Sequence, residues 1–509
     1  MRTKKGTPAL ETESELIAIF ALMNLKSLAK DTAIYGLSSI VGRFLNYLLV
    51  PLYTYKISAE SGGYGIVTNL YAYAAFFLAL LTFGMETTLF RFASKEGEDS
   101  RMVYSNALRM VGGVTLIFVA AVIAFLNPLS SAMGYSEHPE YIVCFAIITA
   151  FDAIQAIMFS RLRQQHRPVR FMLLKFAYII PSILLNLFIF LVMDKISAFQ
   201  GVFHHFNDGV GLIFFANLVC TSLVMIAFLP ELKGIRFGFD RALARRMLSY
   251  SWPLLLLSLV GILNQVADKM LFPWLMPGEE GMRQLGIYGA CVKIAMIISL
   301  LTQAFRYAYE PIVFNSTKDR NSPETLADGM KYFIVFSLLA FLAVWFYMPV
   351  LKYLIGRSYW EGLNVIPIVM MAEIFMGIYF NLSFWYKLTD QTWWGAVISA
   401  AGAAVMIAVN VIFVPKAGYI ACAWGGFAGY GTAMIMSWAI GRNRYPVPYD
   451  VRSILGYSFL AAALVGVSIA VKPLTDGLQL WAELVANTVL LAVYCLPVAK
   501  NIILKHTSK

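Results

Sequence analysis

The chain has 509 residues, of which 59% are hydrophobic and 14% charged, with a formal net charge of +11. An average soluble domain carries about 25% charged residues, so a soluble core of this size would lack a polar surface to cover it. The apolar residues fall instead in repeated runs of roughly 18 to 25, the length that crosses ~30 Å of hydrocarbon. These features exclude a soluble enzyme, a nucleic-acid binder and a secreted disulfide scaffold, and they predict an all-α integral membrane protein.

Residues 1–31 are expected to form a cytoplasmic N-terminal segment. Arg2, Lys4 and Lys5 are basic, but Glu11, Glu13 and Glu15 interrupt them, and the short apolar run from Leu16 to Met23 has no small-residue cleavage site behind it. A cleaved signal peptide is therefore not expected. Met23 reads as an alternative start, which makes residues 1–22 a dispensable leader.

Fourteen transmembrane helices follow, beginning near Thr32, Gly65, Ser105, Tyr141, Phe171, Val210, Trp252, Gly286, Tyr332, Leu363, Gly395, Gly418, Ile454 and Ala482. The expected organisation is a first six-helix bundle (32–229), a basic cytoplasmic linker (230–248) and a second six-helix bundle (249–441). A cytoplasmic loop (442–453), two appended helices (454–498) and a cytoplasmic tail (499–509) complete it. The connectors are too short for a soluble catalytic domain, and no GxxxxGK(S/T) motif marks a fused ATPase.

With the N-terminus inside, the inner segments hold 27 of the 40 Lys and Arg residues, the outer loops 7 and the spans 6. That asymmetry predicts both termini in the cytoplasm. The clearest inner loops carry Arg161, Arg163, Arg167 and Arg170, then Lys233, Arg236, Arg241, Arg245 and Arg246. Two stretches look like distant copies. Ser39-Ile40-Val41-Gly42 and Ser258-Leu259-Val260-Gly261 are each followed by a Tyr-Gly pair, at Tyr64-Gly65 and Tyr288-Gly289. Parallel repeats of this kind place a transporter's binding site between its halves, although chance similarity between apolar segments is the alternative.

Ionisable residues inside spans are costly and mark cavities or partners. The basic ones are Arg43, Arg109, Lys175, Lys269, Lys293 and Arg306, and the acids are Asp152, Asp268, Glu310 and Glu373. Arg109 and Lys175 lie near inner ends and are expected to snorkel. Tyr35, Ser39, Gly42, Arg43 and Asn46 form one helical stripe, which turns Arg43 inward. Asn264 with Asp268 and Gln265 with Lys269 form a polar ridge on the seventh span. The eighth places Ser299, Thr302, Gln303, Arg306 and Glu310 on one face, with Lys293 near its edge. Asp268 and Glu310 are read as ion-pair partners or coupling-ion ligands, leaving a net positive cavity. Glu373, with Gly377 and Asn381 on its face, binds a coupling cation or makes an interhelical hydrogen bond.

Ala421, Gly425 and Gly429 predict close helix packing. Pro51, Pro181, Pro253 and Pro367 mark hinges or static bends. The five cysteines are single and apolar in context, and the histidines lie in loops or tails, so no metal site is expected. His204-His205 with Asp208, their one cluster, reads as solvated.

Several blocks carry a family resemblance. They are Lys30-Asp31-Thr32-Ala33-Ile34-Tyr35-Gly36 followed by Arg43, Pro51 and Tyr53; Gly286-Ile287-Tyr288 with Lys293; Gln303 to Pro311; and Asn381-Leu382-Ser383-Phe384-Trp385-Tyr386-Lys387-Leu388-Thr389-Asp390-Gln391-Thr392. From Leu25 onward the chain resembles bacterial polysaccharide-biosynthesis flippases, of O-antigen or capsule type, in the multidrug/oligosaccharidyl-lipid/polysaccharide exporter superfamily. The last block is the most specific. The resemblance implies translocation of an undecaprenyl-pyrophosphate-linked oligosaccharide to the outer leaflet of the bacterial inner membrane, by alternating access. It implies no enzyme activity and no cofactor, a lipid-linked glycan and membrane lipid as partners, and a polysaccharide polymerase and glycosyltransferases as associates. In related lipid II flippases, arginines on the first, second and eighth helices engage pyrophosphate, and Arg43, Arg91 and Arg306 correspond by helix number. The expected substrate-binding set is Arg43, Asn46, Arg91, Lys269, Lys293, Gln303 and Arg306, with Asp268, Glu310 and Glu373 for ion coupling or pairing. The choice between Na+ and H+ stays open. A cation-coupled drug or metabolite exporter of the same superfamily is the alternative, and an integral membrane enzyme lacks a nucleophile with a base.

Overall fold

A computed structural model describes residues 35–36, 38, 41–42, 44–196, 199–202, 209–316, 322–475 and 480–507. The expected leader 1–22, residues Ser39 and Arg43, and the His204-His205-Asp208 cluster lie outside the described residues. Among those described, every regular element is a helix. The first half contains α1 (Leu49–Lys56), α2 (Gly63–Thr82), α3 (Met85–Ala93), α4 (Ser100–Ala124), α5 (Pro139–Gln164), α6 (Pro168–Leu191) and α7 (Val210–Ala227). The second contains α8 (Arg241–Leu275), α9 (Glu279–Ser316), α10 (Ser322–Phe346), α11 (Ile366–Leu382), α12 (Trp393–Ala417) and α13 (Tyr419–Arg444). Two further helices, α14 (Val451–Thr475) and α15 (Leu480–Thr507), follow.

Twelve stretches among the described residues are long and apolar enough to cross a membrane, with α2 and α3 counted as one. Of the fourteen expected spans, the first is described only in part, and the Gly-rich α13, 26 residues long, is not among the twelve. The outward faces are apolar: Leu116, Ile117, Phe459 and Leu496 are 70–77% exposed. A surface of that kind is stable against lipid, where helices satisfy their own backbone polar groups. The chain is a multi-pass, all-α membrane protein.

Several helices start earlier than their apolar windows. α8 begins at Arg241 rather than near Trp252, α9 at Glu279 rather than near Gly286, and α10 at Ser322 rather than near Tyr332. Hydropathy detects only the hydrocarbon-crossing part of a helix, whereas capping and backbone bonds continue into the aqueous flanks. Asp240 caps α8 by accepting from Leu243 N at 2.9 Å. The second part of the basic linker is therefore helical. Its first part is pinned to α4: Arg109 donates to the carbonyls of Arg236 and Gly238, and Asn106 Nδ2 donates to the Asp240 carbonyl at 2.8 Å. Arg109 thus reaches the inner loop and fastens it. Lys175 lies over the Phe159 ring at 4.1 Å.

The helices associate in two groups, α2 with α4 to α7 and α8 with α9 to α13, and α2 joins them by packing on both α8 and α9. At the α2–α9 crossing a Cβ on Gly65 would meet the Met282 carbonyl oxygen at 2.0 Å, and one on Gly289 would meet Thr68 Oγ1 at 2.3 Å. The two Tyr-Gly pairs of the apparent repeat thus meet at one seam, where a side chain would force the backbones apart. Thr54 Oγ1 accepts from Gly356 N, and Tyr359 donates to the Ile57 carbonyl at 2.8 Å, closing the same end. Gly84, at φ 73°, separates α2 from α3 and lets α8 approach to within 2.9 Å of its Cβ position. The predicted close packing of α13 falls against α12, where Gly402 and Gly429 each lie 2.8 Å from the other's carbonyl in Cβ terms. α14 and α15 dock on α10.

Candidate functional site

Between the two groups lies a cavity of about 710 Å³, lined from α1, α2, α6, α7, α8, α9, α11 and α13. It begins below the glycine seam at Tyr64 and Tyr288 and reaches Arg306. Of the expected substrate-binding residues, Asn46, Lys269, Lys293, Gln303 and Arg306 line it, as does the acid Glu373. Arg91 does not line it; its guanidinium lies 4.2 Å above the Tyr250 ring at the α3–α8 contact. Gly42, on the stripe of Arg43, packs against Ile179, and Tyr35 stands edge-on to Phe171, so part of that stripe faces α6.

Asp268 sits directly behind the wall and is 6% exposed. It accepts from Lys269 Nζ at 3.0 and 2.9 Å on its two oxygens, from Lys269 N at 2.9 Å and from the Tyr288 hydroxyl at 2.8 Å. Its cation is the adjacent residue, whose Nζ also donates to the Gln265 carbonyl at 3.1 Å. Asn264 ties α8 to α12 through the Ser399 carbonyl at 3.0 Å, and Tyr430 donates to the Asn264 carbonyl at 2.9 Å. Lys293 Nζ is 5.5 Å from the Tyr47 ring centre.

The expected surplus of positive charge is unevenly placed. Lys269 and Lys293 share their level with Asp268 behind the wall and Glu373 in it. Lys269 is paired with Asp268 there. Arg306 lies 13 residues beyond Lys293 on α9, which is about 20 Å along a helix at 1.5 Å per residue. Glu310 Oε1 is 3.9 Å from Arg306 Nη2 and 3.8 Å from Lys387 Nζ. Among the described residues, the Arg306 end thus holds two cations around one acid.

The described residues of the opposite wall are neutral, so charge inside apolar runs does not point to them. Tyr178 donates to Asn217 Oδ1 at 2.6 Å, Asn217 Nδ2 donates to the Tyr71 hydroxyl at 2.7 Å, and Tyr53 donates to Asn186 Oδ1 at 2.9 Å. All five line the cavity. The signal that could have found them is the recurrence of Tyr and Asn in spans otherwise built from Leu, Ile and Phe. Such a wall offers hydroxyl, amide and ring surfaces suited to sugars. Among the described residues no group of three His, Cys, Asp or Glu side chains is placed to hold a metal ion.

A profile of the family described as "Polysaccharide biosynthesis protein" matches residues 28–314, more than half of the chain. The chain belongs to that family. No curated protein matches it. Among solved structures, the lipid II flippase MurJ in an inward closed conformation is similar at 14% identity over 92% of this chain and 99% of that one, with a TM-score of 0.70. An inward-facing multidrug resistance MATE family transporter of the MOP superfamily follows at 15% identity over 79% of this chain and 94% of that one, TM-score 0.61. MATE in a straight conformation matches at 14% identity over 82% and 95%, TM-score 0.59. These likenesses show the fold, which MurJ and MATE share.

Proposed function

We propose that the protein moves an undecaprenyl-pyrophosphate-linked oligosaccharide from the cytoplasmic to the periplasmic leaflet of a bacterial inner membrane. The observation that carries this reading is the cavity itself: a polar chamber with a cationic end and a Tyr/Asn wall, inside a molecule whose outer face is apolar. A charged glycan head cannot cross hydrocarbon unaided. The chamber supplies countercharge and hydrogen bonds while the polyprenyl tail stays in lipid. Its volume is in the range of enclosing ligand sites, enough for the pyrophosphate and the sugars beside it.

With both termini in the cytoplasm, as the Lys/Arg asymmetry predicts, the glycine seam lies at the periplasmic end and Arg306 toward the cytoplasm. Transport then requires the seam to part and the other end to close. Arg43, on the first span, is assigned to the substrate's phosphates with Arg306, because a planar guanidinium matches phosphate oxygens in two places.

The test is a deletion strain complemented with wild type or with Arg43→Glu. The wild type is expected to restore glycan export, and the Glu variant to leave lipid-linked oligosaccharide on the cytoplasmic leaflet at normal protein abundance, with Arg43→Lys retaining partial activity. Normal export by Arg43→Glu would overturn the reading. A second reading, a cation-coupled exporter, is favoured by Glu373, whose Oε2 has no hydrogen-bond partner among the described residues. An inward cation contributes about 2.3 kcal/mol per charge across 100 mV. Efflux of a fluorescent organic cation by the complemented strain, with export of glycan unchanged by the deletion, would select that reading instead.

A further inference from the structure

The most specific sequence block, Asn381 to Thr392, contributes nothing to the cavity wall, yet it brings Lys387 to the Arg306 end of the cavity. Glu310 Oε1 stands between Arg306 at 3.9 Å and Lys387 at 3.8 Å, too far for a hydrogen bond to either. Both cations rest on one ring: the Phe380 centre is 4.1 Å from Arg306 Cζ and 4.5 Å from Lys387 Nζ, and Lys387 is also 5.0 Å from the Phe384 centre. An aromatic face positions a cation without neutralising it. Two cations thus share one loosely held carboxylate, and the group carries a net positive charge. Side-chain exposures of 50% for Arg306, 27% for Lys387 and 35% for Glu310 leave it reachable.

We infer that Arg306 and Lys387, held on Phe380, form an anion site at the mouth of the cavity for the pyrophosphate of a lipid-linked head, and that Glu310 is the placeholder the pyrophosphate displaces. This rests on the function proposed above and adds Lys387, which the sequence places at the edge of an inner loop, to the substrate contacts. The mouth and the Lys293 level, about 20 Å apart on α9, are further apart than one pyrophosphate extends. They are therefore successive stations: the head is captured where charge is in surplus, then passes to a level where Lys269 is already matched by Asp268 and release is easier.

A structural ion-pair cluster predicts that loss of any member loosens the fold and weakens binding. A placeholder predicts opposite signs. Full-length protein in phosphatidylcholine nanodiscs is titrated with undecaprenyl pyrophosphate, with melting temperature recorded in parallel. Lys387→Gln is expected to weaken binding about tenfold, as loss of a charge-assisted contact does, and Glu310→Gln to tighten it severalfold, with both variants melting near the wild type. Millimolar inorganic pyrophosphate is expected to compete in the wild type and to lose that effect in Lys387→Gln. Weakened binding in both variants with lowered melting would make the cluster structural and overturn the inference. So would pyrophosphate competition unchanged in Lys387→Gln, or equal displacement by phosphatidylglycerol nanodiscs, which would make it a bilayer-lipid site. If the wild type binds undecaprenyl pyrophosphate and neither variant shifts it, the mouth site is wrong and the flippase reading stands. If the wild type binds none, the flippase reading falls and takes the site with it.

Discussion

Asp268 illustrates what a buried carboxylate does in this fold. Its two oxygens accept from Lys269 and Tyr288, so it holds a cation at the cavity surface and clamps α8 to α9. Removing one member of a buried pair is costly because the other charge is left without a partner, whereas removing the Tyr288 hydroxyl leaves the ion pair intact. Asp268→Asn is therefore expected to destabilise the protein by about 3–5 kcal/mol and Tyr288→Phe by about 1 kcal/mol, compared by thermal unfolding in detergent. Glycan export should suffer less in Asp268→Asn than in Arg43→Glu; the reverse order at equal abundance would reassign Asp268 to ion coupling. The sequence identified the ionisable residues because charge inside an apolar run is conspicuous. It paired Glu310 with Arg306 by spacing but did not show Lys387 beside them, since that residue comes from another helix.

At the scale of elements, helices extend beyond their apolar windows and small residues decide where they touch. The α12–α13 contact at Gly402 and Gly429 was half legible, because the four-residue spacing on α13 is a sequence pattern while its counterpart on α12 is a single glycine. The docking of α14 and α15 was not legible at all. It relies on scattered pairs: Lys331 Nζ to Asp450 Oδ2 at 2.6 Å, Trp345 Nε1 to Ser468 Oγ at 2.9 Å, and Tyr494 to the Val335 carbonyl at 3.1 Å. Hydrogen bonds from Lys331 and Ser453 hold the Asp450 carboxyl down at about 2. An unfolded Asp titrates near 3.9. The contribution of this pair is therefore complete above that value and is lost only as pH falls through about 2. Cross-linking between α10 and the start of α14 should persist at pH 3.5 in the wild type, and should drop at neutral pH in Lys331→Met. A loss of wild-type cross-linking already at pH 5 would contradict this.

The molecule as a whole depends on a seam that must hold in one state and part in another. In the described state α2 meets α9 at Gly65, Gly286 and Gly289, and a Cβ on Gly289 would lie 3.1 Å from Thr68 Cβ. A slight separation brings that pair into the disulfide range of about 3.5–4.5 Å. Thr68→Cys with Gly289→Cys, in a background free of other cysteines, should form a disulfide that stops glycan export and is rescued by reductant, while binding of undecaprenyl pyrophosphate survives. Export unchanged by quantitative cross-linking would show that the halves do not separate there. By itself the sequence determined the membrane class, the all-helical fold and which ionisable residues stand within apolar runs, because each follows from local quantities: apolar run length, helical period and the cost of charge in hydrocarbon. Only the tertiary structure decided that the two Tyr-Gly pairs form one seam, that a Tyr/Asn wall faces the lysines, that Glu373 lines the cavity, and that Lys387 reaches Arg306 across Phe380. Those relations join residues from different helices, and the net charge at any point depends on how the helices are rotated and packed, which no pattern along a single helix encodes.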